Sequence, residues 1–579
     1  MDGYIKNVNL DETGPHNREA IGRVSLTWEP SDVVKTNARL DLGRMRNDGI
    51  FSTEMLNCPP DAAFGPARGA CARYLAASGG EVDDRINGIS AANPSFFNYN
   101  YLEAAQSTTI GIGSHNLVLT TGYFDHDYDL LNDVMPVPTA MGGSVVGTTQ
   151  GAAARFQENY HQFSQELRIQ SPTGGTLEYL IGGYFAHSKL GIESYLGSYF
   201  APLGAAATGV YTATTPVASH VINSEKARTL SAFASATIRP FEALRINLGL
   251  RYSTVRKTAH RLAEAGTAES VPGPDNFSAA PSSVQTILMD ALAVDIGEFA
   301  RTRRTDDKLM PTIGLQYDLA PDIMAYATYT KGFKAGGFSA FVSKSIFDPE
   351  TVDAYEVGLK SSFFDRRLTL NLAAFLSDYQ NLQETTTILT STGASRQIVG
   401  NIADSRSKGI EFGSVLRVAD GVTLTADLAW LDARYRNYHD APCTGLQSLA
   451  APVCTQDLSG KRRAFAPKWS GNIGASLEQP VSSDIYARLD ANIYFTSSYF
   501  QQPPADPYLS QSSNEDRRPH RPGSEGPALG PRCRRQESDQ PPNRQLPPTG
   551  RQFTGHVPGA RRSHPVDRLS AFVEDVGAA

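Results

Sequence analysis

Pro311-Thr312-Ile313-Gly314-Leu315-Gln316-Tyr317-Asp318-Leu319-Ala320-Pro321-Asp322 decides the fold. Ile313, Leu315, Tyr317 and Leu319 alternate with Thr312, Gly314, Gln316 and Asp318. The Leu319-Ala320-Pro321-Asp322 segment then turns the chain into a second alternating run through Ile323 and Tyr329. A period of two puts one kind of side chain on each face of a strand. The device repeats further on, where Tyr355, Val357 and Leu359 oppose Glu356, Gly358 and Lys360. After a turn at Asp365-Arg366, Leu368, Leu370 and Leu372 oppose Thr369 and Asn371.

Turns of the same kind fall at residues 29–32, 113–116, 171–175, 239–242, 419–421 and 480–484, each between alternating runs. Pro, Asp, Gly and Ser fill them because these residues supply fixed or positive φ and local hydrogen bonds. Eight turns imply about 16 strands, each needing roughly 9–11 residues to cross a bilayer. Long polar stretches such as 44–95, 255–307 and 435–466 separate the hairpins. Short turns on one side and long connections on the other mark an antiparallel transmembrane β-barrel, with the long loops outside the cell. Soluble β-architectures fit less well. Sandwich strands are shorter, and a solenoid shows a fixed repeat.

Composition agrees. Hydrophobic residues are 40% and the mean hydropathy is -0.30, near neutral because a barrel strand shows lipid only every second residue. No run of about 20 apolar residues suggests a membrane helix. The 24 tyrosines and 26 phenylalanines against 3 tryptophans suit strands with aromatic girdles. A net charge of -7 names no partner. Met1-Asp2-Gly3-Tyr4 carries no signal-peptide pattern, so the expectation is that an N-terminal part is missing.

Particular segments resemble TonB-dependent outer-membrane receptors. They are Phe163-Ser164-Gln165-Glu166-Leu167-Arg168-Ile169 with Ser171-Pro172, the run from Tyr326 through Gly332-Phe333-Lys334-Ala335-Gly336-Gly337-Phe338, and Pro349-Glu350-Thr351-Val352-Asp353-Ala354-Tyr355-Glu356. Ser407-Lys408-Gly409-Ile410-Glu411 and Ala466-Pro467-Lys468-Trp469 extend the resemblance, which covers roughly residues 4–511. The resemblance implies a 22-strand barrel with an N-terminal plug in a Gram-negative outer membrane. It also implies TonB-dependent uptake of a ferric siderophore or similar large nutrient, with outer-membrane lipid and the TonB complex as partners. The expected protein is monomeric and non-enzymatic, without cofactor or resident metal.

Departures from the family pattern set further expectations. Residues 1–511 read as a partial barrel lacking plug and coupling segment, and therefore not transport-competent. Residues 512–579 read as an Arg- and Pro-rich disordered tail from a shifted reading frame, with no nucleic-acid role. A passive, porin-like outer-membrane channel is the alternative function.

Candidate residues are few. Cys58 with Cys71, and Cys443 with Cys454, lie in two outer loops as possible disulfides, while Cys533 falls in the tail. Arg245, Arg251, Glu356, Lys360 and Arg417 point inward and are candidates for lining a polar route. His115, His126, His161 and His187 read as hydrated loop or strand residues. Asp125, Asp127 and Asp129 lack the glycine turn and closing glutamate of a calcium loop. Lys334, Gly336 and Gly337 mark the exit of a strand from the membrane.

Overall fold

The computed structural model describes residues 3, 5–7, 12–49, 88–89, 95–133, 153–198, 208–212, 215–269, 271–292, 295–339, 346–389, 395–444, 447, 454–482, 485–502, 506 and 510–520. Its main sheet is one antiparallel meander. In chain order the strands are β1 (His16–Ser31), β2 (Val34–Asp48), β3 (Phe96–Ile112), β4 (His115–Asp133), β5 (Ala153–Gln170) and β6 (Leu177–Ser198). Then come β7 (Val217–Phe241), β8 (Leu244–Thr267), β9 (Gly297–Ala320), β10 (Ile323–Lys334), β11 (Glu350–Phe363) and β12 (Leu368–Leu389). The series ends with β13 (Ser395–Ala419), β14 (Val422–Asn437), β15 (Trp469–Ser482), β16 (Ile485–Thr496) and β17 (Asn514–His520). Each pairs with its sequence neighbour, and all eight short turns lie where the alternation breaks.

The registers keep the two faces separate across the sheet. Ile313 lies opposite Tyr329, and Leu315 opposite Ala327. Leu248 and Leu250 lie opposite Ile313 and Pro311 on the next ladder. Leu248, Leu250, Ile313 and Leu315 stay exposed, Leu250 at 48% and Ile313 at 52%, which water would not tolerate over so large a surface but hydrocarbon favours. Tyr123, Phe163, Tyr252, Tyr355 and Trp469 are exposed toward the far end of this apolar band, and Trp28, Phe241 and Tyr317 near the short turns. Two aromatic belts bound a bilayer-high band.

Strands are longer than crossing requires: β7 has 25 residues and β6 has 22. The excess lies on the side of the long connections. Much of the stretch 255–307, read as loop, is therefore strand, with helix α1 (Ser282–Leu292) between β8 and β9. Above the bilayer both faces meet water, so the apolar/polar alternation that reveals a strand is lost there. Buried apolar clusters also sit at this end. Val217, Ala265, Val284 and Leu288 hold α1, and Leu382, Ala403, Tyr435, Tyr438 and Leu458 hold the connection after β14.

Asn514–His520, inside the segment read above as tail, pairs with β16 from Thr496↔Asn514 to Asp490↔His520. Residues 521–579 lie outside the described residues. The strand order runs cyclically from β17 to β1. Yet after His16 every residue of β1 is exposed, and no ladder register joins β1 to β17 among the described residues. The seam is thus open as a hydrogen-bonded edge, and the barrel is incomplete.

Candidate functional site: the inner wall of the barrel mouth

Because Leu117, Leu119 and Tyr123 of β4 face outward, the even-numbered residues of that strand face the lumen. Period two and register carry this across the wall. Tyr101 lies opposite His126 and Tyr99 opposite Tyr128. His126 in turn lies opposite Tyr160, and Tyr128 opposite Glu158. Phe97, Tyr99, Tyr101, Phe124, His126, Tyr128 and Tyr160 thereby form a continuous aromatic face above the bilayer level. Ring centroids are 5.4 Å apart for Tyr99–His126 and Phe124–His126, 5.5 Å for His126–Tyr160 and 5.8 Å for Phe97–Tyr128. These are the spacings of offset and edge contacts.

Glu158 is tied into this wall. Glu158 Oε1 lies 2.9 Å from His126 Nε2. Burial, then the nearby Glu158, pushes the Tyr128 phenol up to about 12, so it stays a protonated donor. The wall thus offers flat apolar surface with a few fixed polar groups, the composition of a ligand-binding concavity. It was missed in the sequence, although Phe97, Tyr99 and Tyr101 alternate visibly there. His126 is a wall residue tied to an acid, not a hydrated loop histidine.

The five inward charges proposed from sequence do not converge. Arg245 sits at the short-turn end, where its guanidinium donates to Asp318 at 2.8 and 2.5 Å and to Gln316 at 3.0 Å. Arg251 lies between the Tyr184 and Phe233 rings, 5.4 Å from each centroid, and donates to Ser231 at 3.0 Å. Glu356 accepts from the Tyr326 phenol at 2.7 Å, and the Lys360 ammonium lies 5.8 Å from that ring. Arg417 is exposed beside a short turn, its N–H donating to Arg367 O at 2.8 Å. Arg245, Arg251 and Glu356 spend their hydrogen-bonding groups on the wall.

The rim is built from docked connections. Cys443 and Cys454 are disulfide-bonded with Cα atoms 5.7 Å apart, next to the small ladder of Ala441–Pro442 with Thr455–Gln456. The Tyr438 phenol donates to Thr385 O at 2.6 Å, seating this cap on β12. Cys58, Cys71 and Cys533 lie outside the described residues. Gly336 donates to Asp306 at 3.0 Å, and a Cβ there would collide with Phe347 O, so the glycine permits a close backbone approach. Asp125, Asp127 and Asp129 belong to β4. Asp129 accepts from Arg155 at 3.0 and 2.8 Å, and Asp127 from Asn100 at 2.8 Å. No group of three or more metal-ligating side chains occurs among the described residues.

A long-stranded antiparallel barrel with a lipid-facing band, tight turns at one end and an aromatic inner wall at the other defines a membrane-spanning receptor barrel. The chain belongs to the TonB dependent receptor-like, beta-barrel family, which is matched over residues 56–518. This is a family of receptors and transporters, not of enzymes. The metal-pseudopaline receptor CntO of Pseudomonas aeruginosa is 29% identical over 147 residues, 25% of this chain and 20% of that protein. The ferric-pyoverdine 358 receptor of Pseudomonas putida is 31% identical over 151 residues, 23% of this chain and 18% of that protein. The aligned stretch therefore spans about a fifth of the length of these curated relatives. Among solved structures, the ferric yersiniabactin uptake receptor FyuA from Yersinia pestis matches with a TM-score of 0.61 at 14% identity, covering 89% of this chain and 65% of that one. The siderophore receptor PiuA from Acinetobacter baumannii matches with a TM-score of 0.58 at 13% identity, covering 86% and 70%. At such identities the likeness is one of fold.

Proposed function

We propose that this chain is the barrel of a Gram-negative outer-membrane receptor that captures a ferric siderophore, or a similar large metal chelate, at its outer mouth. The observation that carries the proposal is the inner aromatic wall of Phe97, Tyr99, Tyr101, Phe124, Tyr128 and Tyr160 around His126 and Glu158. Flat rings offer large contact area at small entropic cost, which suits a bulky, rigid and partly apolar chelate. The curated relatives named above, receptors for metal-pseudopaline and ferric pyoverdine, support the ligand class. Energised uptake through the TonB complex, by a monomeric receptor, is the further proposal. Residues 1–511 would carry the capture surface without by themselves completing transport, and residues 512–579 would add nothing to capture.

The test is titration of the purified chain with ferric-siderophore complexes, read by quenching of intrinsic fluorescence. The combined Tyr99→Ala and Tyr128→Ala variant is expected to bind about tenfold more weakly or worse, since stacked aromatic pairs are each worth roughly 0.5–1.5 kcal/mol beyond their area. Retained affinity in that variant removes the wall from the site. The competing reading is a passive, porin-like channel. Steady, ligand-independent conductance in planar bilayers, with no saturable chelate binding, would favour it.

A further inference from the structure

On the outward face of β5 to β9 a strip rich in lysine and arginine, with two histidines, lies immediately above the lipid band. Its lower row follows the ladder: His187 opposite Arg228, and Arg228 opposite Arg256. The row above runs His161, Lys189, Lys226, Thr258 and Arg303, each opposite the next on the neighbouring strand. Directly below come Phe185, Leu230 and Thr254, then Tyr252 opposite Leu309. Leu230, Tyr252 and Leu309 are about half exposed, at 48%, 47% and 51%. Phe163 and Phe185 complete this edge of the band, with ring centroids 6.5 Å apart.

Two physical facts set this strip apart from an ordinary solvated rim. First, like charges stand directly opposite on adjacent strands twice, at Lys189↔Lys226 and Arg228↔Arg256, an arrangement that destabilises a bare sheet. Second, Lys189, Lys226, Arg228, Arg256 and Arg303 are exposed and form no ion pair among the described residues. The contrast is sharp with β13 and β14. There Arg406 donates to Asp378 at 2.6 Å and Arg434 to Asp432 at 2.6 Å. The outward acids closest in register are Asp125, opposite His161, and Asp307, opposite Thr254, at the margins of the strip.

We infer that this strip binds the phosphate groups of a phosphorylated lipid in the outer leaflet. The row spans five strands, about 19 Å at the usual strand spacing, wide enough for a headgroup bearing more than one phosphate. Acyl chains descending from that headgroup meet Phe163, Phe185, Leu230, Tyr252 and Leu309. Phosphates seated between Lys189 and Lys226, and between Arg228 and Arg256, turn two cross-strand repulsions into bridged contacts. Juxtamembrane cations are worth about 1 kcal/mol each toward anionic lipid, roughly fivefold in affinity per residue. This inference rests on the membrane-spanning reading of the barrel and not on its cargo.

The test uses the full chain in zwitterionic detergent, with diphosphorylated lipid A as the probe and phosphatidylcholine as the uncharged-headgroup comparison. Wild type is expected to retain lipid A over phosphatidylcholine. A quadruple variant (Lys189→Gln, Lys226→Gln, Arg228→Gln, Arg256→Gln) should lose affinity by roughly fivefold per cation removed. The control pair Lys408→Gln and Arg436→Gln, on the far wall, should bind as wild type does. Without lipid A, the quadruple variant should melt at or above the wild-type temperature because the like-charge pairs are gone. With lipid A, the order should reverse. Undiminished lipid A binding in the quadruple variant overturns the inference. So does equal loss in the control, or competition by inorganic phosphate as effective as by the lipid. A chain that refuses to enter lipid A vesicles at all overturns the membrane reading instead.

Discussion

Glu384 lies near the top of β12, beyond the bilayer-crossing part, under the cap that follows β14. Burial raises its carboxyl above the usual range, against the opposing pull of Arg463 and the Tyr435 phenol. Arg463 lies 3.5 Å from the carboxylate and also stacks near Tyr379 and Tyr435. A folded carboxyl that holds its proton more tightly than an unfolded one favours the docked cap most at low pH. That advantage is complete below about pH 4 and fades as pH rises through the raised value. Hydrogen exchange at the Leu458 and Gly460 amides, which bond to Tyr438 O and Tyr435 O, reads cap docking directly. Their protection is expected to fall as pH rises from about 4 toward 7, after correction for intrinsic exchange, and Glu384→Gln should flatten that slope. A flat wild-type profile, or an unchanged slope in the variant, would remove Glu384 as the titrating group.

Single strands carry the two-faced character that lets this fold sit in lipid, and β7 with β8 give the cleanest test. Leu250 faces outward near mid-height of the band, whereas Ser235 on the neighbouring strand, opposite Gly249, faces the lumen. Leu250→Arg should cost about 2–4 kcal/mol in bilayers, and Ser235→Arg close to nothing. Urea titration of vesicle-inserted protein measures both; equal losses would mean the faces are misassigned. This alternation is why the eight turns and the inward or outward sense of Arg245, Arg251, Glu356 and Lys360 were legible in the sequence. Height along the strand was not legible, so Arg245 at the short-turn end and Arg251 higher up looked equivalent. The upper half of β8 and β9 read as loop because water on both faces erases the pattern. The aromatic wall went unread for a related reason. Its residues lie on three strands, and only register brings Tyr99, His126 and Tyr160 side by side.

At the scale of the whole molecule, an unfinished sheet in lipid is governed by its edges. Unpaired backbone groups cannot be satisfied by hydrocarbon, so whichever strand ends the sheet matters more than its sequence suggests. On the C-terminal side that strand is β17, whose seven residues cover part of β16 despite belonging to an Arg- and Pro-rich segment. Two truncations separate its contribution from that of the rest. Ending the chain after His520 removes only residues outside the described sheet, and should leave insertion and protease resistance unchanged. Ending it after Gln511 uncovers the ladder from Thr496 to Asp490, seven backbone pairings in the register. That shorter chain should insert less completely and expose β16 to proteolysis first, since buried unpaired amides and carbonyls each carry a penalty of order 1–3 kcal/mol. Protease mapping of vesicle-reconstituted protein distinguishes the two. If both truncations behave alike, β17 contributes nothing to the edge, and the boundary of the barrel falls at Gln511.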